Sequence, residues 1–125
     1  MFAKYNTELF PIVKVDLSGT IKSDDDFADF TNNWLNLYNN ERDFVFEFDT
    51  KNVGLVNPKY CIYVALFIQN LKKRKTQYLK CSSIYVYNKY VYNLLKFIFS
   101  IQSPVAPIQL IYVLKNGLQQ ISHIK

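Results

Sequence analysis

Phe44-Val-Phe-Glu-Phe-Asp-Thr-Lys-Asn-Val-Gly-Leu-Val-Asn-Pro-Lys59 holds a strand signal, a loop and a helix start in one run. Side chains alternate across a strand, so Asp43 to Asp49 predicts a strand with Phe44, Phe46 and Phe48 on one face. Thr50 to Val56 reads as a loop containing Gly54. Asn57 is a helix cap, and Pro58 falls at the first helical position, where its missing amide costs nothing. The helix then runs from Lys59 to about Lys75. Cys61, Ile62, Val64, Ala65, Leu66, Phe67, Ile68 and Leu71 make it apolar on most sides, which predicts the most deeply buried helix of the fold. Its last turn, Lys72-Lys-Arg-Lys75, suits the negative end of the helix dipole.

Working outward, Phe10 to Leu17 is a β-branched and apolar strand that stops at Ser18-Gly19, and Phe2 to Leu9 adds a short edge strand. Ser23 followed by Asp24, Asp25 and Asp26 opens an amphipathic helix. Phe27, Phe30, Trp34, Leu37 and Tyr38 form its apolar stripe, Asp29, Asn32, Asn33 and Asn36 lie opposite, and Asn39-Asn40 end it. Ser82 to Tyr87 is a third strand. Val91, Leu94, Leu95, Ile98 and Phe99 follow at helical spacing until Ser103-Pro104 and Pro107 break the pattern. Ile108 to Leu114 is a fourth strand. The tail reads as a short helix through Leu118, Ile121 and Ile124, in preference to a hairpin arm turned at Asn116-Gly117. Strands alternating with crossover helices predict one α/β domain over residues 1–125. Its sheet is mostly parallel, with four to five strands covered by about four helices.

Composition narrows the function classes. Half the residues are hydrophobic and 17% are aromatic, which excludes a disordered chain. No apolar run reaches the roughly 20 residues that span a bilayer, and the N-terminus lacks a signal-peptide pattern, so a cytoplasmic protein without a membrane contact is expected. Cys61 and Cys81 with a lone His123 supply neither a Cys/His zinc set nor a disulfide framework, and both cysteines read as buried packing residues. The formal charge of +5 is read as a weak preference for anionic partners, carried by scattered basic residues.

Val15-Asp-Leu-Ser-Gly19, the Ser-Asp-Asp-Asp26 helix start and Phe46-Glu-Phe-Asp49, with their order and spacing, resemble the STAS domain typified by anti-sigma factor antagonists. The resemblance covers nearly the whole chain. It implies a non-catalytic protein-interaction module whose partner-binding surface comprises Ser18, Thr50, Lys51, Asn52, Asn57 and Lys59. Where the family's loop carries a phosphorylatable Asp-Ser-Ser/Thr-Gly motif, this chain has Asn57-Pro-Lys-Tyr60. A phosphate switch at that helix start is therefore not expected.

Other chemistry is thin. Asp24, Asp25 and Asp26 are read as dipole stabilisers in preference to metal ligands, and Asp16 with Asp49 as backbone-bonding carboxylates in preference to a pair for metal-assisted hydrolysis. His123 has no nucleophile beside it, and the three glycines form no phosphate loop, so no cofactor, metal or catalytic residue is expected. The alternative reading is a nucleic-acid-associated protein using Lys72, Lys73, Arg74 and Lys75, with Tyr78 stacking on bases. Tyr85, Tyr87, Tyr90 and Tyr92 suggest a tyrosine-rich surface for a homodimer.

Overall fold

In the computed structural model, which describes residues 1–117 and 119–124, every strand joins one sheet. The chain runs β1 (Ala3–Asn6), β2 (Ile12–Gly19), α1 (Asp24–Leu37), a 3-10 turn (Tyr38–Asn40), β3 (Phe44–Val53), α2 (Pro58–Lys72), β4 (Leu79–Val86), α3 (Lys89–Ile101), β5 (Ile108–Val113) and β6 (Gln119–Ile124). Spatial order follows chain order from β1 to β6. β2 to β5 are parallel, whereas β1 and β6 are antiparallel edges. The sheet is thus six-stranded and mixed, with three helices among the described residues, in place of the expected four or five strands and four helices.

The tail accounts for part of that difference. Gly117 sits at φ +82, a conformation open to glycine, and its amide closes the turn onto the Leu114 carbonyl at 2.9 Å. Ile108 then faces Ile124 across a full antiparallel ladder, so backbone pairing with β5 wins over the apolar spacing of Ile121 and Ile124. Leu118, the first member of that spacing, lies outside the described residues.

Sequential order with right-handed crossovers places all three helices on one face of the sheet. Burial follows this division. Val13, Val15, Phe44, Phe46, Phe48, Ile84, Val86 and Leu110 are buried beneath the helices, while Lys14, Asp16, Glu47, Asp49, Ser83 and Tyr85 occupy the other face. Trp34 joins the layers: its ring lies 5.0 Å from Phe46, 6.1 Å from Phe30 and 5.1 Å from Phe67, linking α1, β3 and α2. Each such ring contributes roughly 1.5–3 kcal/mol of burial.

The expected helix starts are in place. Ser23 Oγ accepts from the Asp26 amide at 3.2 Å while Asp26 accepts from the Lys22 amide at 2.9 Å, and Asn57 Oδ1 accepts from the Lys59 amide at 3.0 Å ahead of Pro58. Three expectations need correction. β3 continues to Val53, because Ser18 and Gly19 pair with Asn52 and Val53 beyond a bulge. α2 stops at Lys72 and is not sheathed all round, since Ile62, Tyr63 and Leu66 face outward. Cys61 is buried, but Cys81 is exposed on the helix-free face, opposite Val45.

Candidate binding face

The residues expected to form one partner surface divide among three environments. Gly54 crosses so close to Gly19 that its amide bonds the Gly19 carbonyl at 2.7 Å, and this contact ties the ends of β2 and β3 together. On the helix-free side of that end, Ser18 and Asn52 border a recess with Met1, Lys4, Asp16 and Asp49. Lys51 is exposed nearby, its amide held by Asp49 Oδ1 at 2.9 Å. Asn57 and Lys59 belong to the helix layer, where the Lys59 ammonium sits 5.0 Å from the Tyr60 ring centre. Thr50 belongs to neither group. It is buried, with Oγ1 donating to the Tyr85 carbonyl at 2.6 Å, so it is a strut between β3 and β4 and offers no surface contact.

Asp16 and Asp49 do converge, as register neighbours on β2 and β3, with Lys4 opposite Asp16 on β1. Burial, and then the charges of Asp49 and Asp16, raise the Tyr87 hydroxyl above its ordinary pKa. Among the described residues no group of three or more His, Cys, Asp or Glu side chains is arranged to hold a metal ion. The first-turn carboxylates of α1 are partly engaged, Asp24 Oδ1 accepting from the Tyr60 hydroxyl at 3.1 Å.

The tyrosines do not make one surface. Tyr85 and Tyr87 are half-buried at the helix-free face, and Tyr90 accepts the Val56 amide at 2.8 Å. Tyr92 packs on Tyr112 with ring centres 6.0 Å apart. The basic end of α2 is also partly committed: Lys72 bonds Ser103, and the Arg74 guanidinium stands 5.0 Å over the Tyr38 ring. Tyr78 packs against Tyr38 at 6.1 Å and is not free to stack on a base.

A different surface emerges between α2 and α3. The helices meet through Cys61, Ala65, Ile68 and Ile98, with Leu94 packed beside them. Residues four apart on a helix share a face, so Ile62 and Leu66 form a ridge on α2 next to that contact, and Phe97 and Ile101 form one on α3. These four are 41%, 49%, 41% and 46% exposed. Exposed apolar side chains grouped on adjacent helices make this face a candidate interaction surface.

Charge singles out the same side of the molecule. All ten carboxylate residues lie in the first 49 positions with four basic residues, while positions 50–125 hold eleven basic residues and no acidic one. α2 and α3 therefore carry Lys59, Lys72, Lys89 and Lys96 and no carboxylate. The Lys80–Asp43 pair, at 3.7 Å and largely exposed, does little to offset this separation. The segregation is legible in the sequence, yet the overall charge of +5 conceals it: the basic residues are spread along the chain, as expected, and it is the acidic ones that are confined to its first part.

In comparison with known proteins, the chain matches no family model, no curated protein and no solved structure.

Proposed function

We propose that this chain is a non-catalytic protein-protein interaction module, STAS-like in its order of elements, which receives an acidic and apolar segment of a partner protein across α2 and α3. The observation that carries this reading is the coincidence of the exposed Ile62, Leu66, Phe97 and Ile101 ridges with a half-chain that contains lysines and no carboxylate. Burying the ridges supplies the area-dependent part of the affinity, and the surplus positive charge of this half of the chain speeds encounter and selects acidic partners. The helix start at Asn57-Pro58-Lys59 lacks a hydroxyl and Thr50 is buried, which supports a module without the family's phosphate switch.

The unbalanced basic charge also favours a second reading, contact of Lys72, Lys73, Arg74 and Lys75 with nucleic-acid phosphates. One experiment separates the two. Tagged wild type, Leu66→Glu and Lys59→Glu are used to capture partners from the protein's own cells, and the captured partner is then titrated in purified form at increasing salt. An acidic protein held by wild type and weakened at least tenfold by Leu66→Glu fits the docking face. The same protein held equally by Leu66→Glu refutes it, and loss with Lys59→Glu alone moves the site to the helix start. Captured nucleic acid whose affinity falls steeply with salt establishes the second reading.

A further inference from the structure

Between the sheet and the helix pair lies a cavity of about 140 Å³, walled by Phe48 and Ile84 of the sheet, Val64 and Ile68 of α2, and Val91 and Ile98 of α3. Protein interiors leave few voids larger than a water molecule, so a space of this size in a domain of this length is conspicuous. An engineered apolar cavity of comparable volume, roughly 150 Å³, stays dry and takes up benzene.

We infer that this cavity is a binding site for a small, uncharged apolar group, a single ring or a short branched alkyl moiety. Its polar resources are few. The Thr50 hydroxyl is spent on the Tyr85 carbonyl and the Tyr60 hydroxyl on Asp24, which leaves Ser82 as one small hydroxyl-bearing wall residue. Burial raises the Cys61 thiol above its ordinary pKa, so at neutral pH it lines the wall as a neutral group. Among the described residues no lysine, arginine, histidine or carboxylate borders the space, and a charged ligand would forfeit its hydration with nothing in return. Half-buried Val56, Val64 and Leu94 lie in the part of the wall adjoining the junction of α2 and α3.

This site is independent of the docking face, because Ile62, Leu66, Phe97 and Ile101 do not line it. The test is a titration of the whole chain with benzene, followed by carbon-detected methyl NMR and by chemical unfolding. Saturable shifts at the wall methyls, Val64, Ile68, Ile84, Val91 and Ile98 among them, are expected, with the folding constant rising about 11-fold when benzene stands at ten times its Kd. Benzoate at the same concentration should produce neither effect. Val91→Phe fills the space and should abolish the response, as should Val64→Phe if the first variant does not fold. Leu66→Glu should leave it intact. Absence of a saturable shift, an equal response to benzoate, or shifts centred on the surface methyls of Ile62 and Ile101 would overturn the assignment.

Discussion

Replacing Trp34 by phenylalanine isolates an unusual energetic balance. The indole ring is buried among Phe30, Phe46, Phe48 and Phe67, yet its Nε1–H makes no well-formed hydrogen bond, the Tyr38 hydroxyl lying near enough to interact with it but not in bonding geometry. Phenylalanine keeps the first ring and its edge contacts but removes roughly 40 Å² of buried apolar surface, a loss of about 1 kcal/mol at ~25 cal/mol per Å². It also removes a buried, unpaired donor whose desolvation costs about 1–3 kcal/mol. The two effects nearly cancel, so Trp34→Phe should fall between neutral and about 1–2 kcal/mol more stable. Trp34→Ala offers no such compensation and should lose about 3–5 kcal/mol, towards the upper end because the adjoining cavity gives the site nothing to collapse onto. Because this is the chain's single tryptophan, urea unfolding is followed by circular dichroism. A loss above about 2 kcal/mol for Trp34→Phe would refute the argument and show that the indole N–H has a partner, the nearby Tyr38 hydroxyl being the first to examine.

Alkaline pH should weaken the fold. Tyr5, Tyr38, Tyr60, Tyr87 and Cys61 all hold their protons above the ordinary values, with burial the leading cause in each. The unfolded chain therefore releases these protons first, and stability, constant through neutral pH, should fall as pH rises past about 9–10, as read from urea midpoints across that range. Gly19→Ala should cost about 1 kcal/mol, since φ +71 strains any side chain even though a Cβ meets nothing within 4 Å; an unchanged thermal midpoint would contradict this. Leu66→Glu should change stability by no more than about 0.5 kcal/mol while improving solubility, which differential scanning calorimetry and a precipitation curve would check.

Local signals with a short physical range were readable in the chain. The Phe44, Phe46, Phe48 alternation, the Ser23 cap and the Asn57-Pro58 helix start depend on neighbours a few residues away, and each element stands where those residues put it. What failed depended on distant pairing. Thr50, Lys51 and Asn52 look like loop residues until Ser18 and Gly19 are placed beside them, and Gln119 to Ile124 looks helical until β5 supplies a ladder. α2 misled for another reason: apolarity on most sides signals burial, but it cannot distinguish burial inside the molecule from burial against something else. Of the six expected partner-contact residues, only Thr50 is withdrawn by its burial. The α2 and α3 ridges cannot be read from the chain because exposure is a property of packing, and the charge separation is hidden within a total of +5.

That separation has a kinetic side. The boundary falls at Asp49 and Thr50, inside β3, one of the two middle strands, so the acidic and basic halves occupy opposite flanks of the sheet and give the molecule an electric moment lying across its strands. An approaching anion would turn the molecule before touching it, presenting the α2 and α3 flank first. At physiological ionic strength, where fields decay over about 8 Å, this alignment is confined to the last moments of approach.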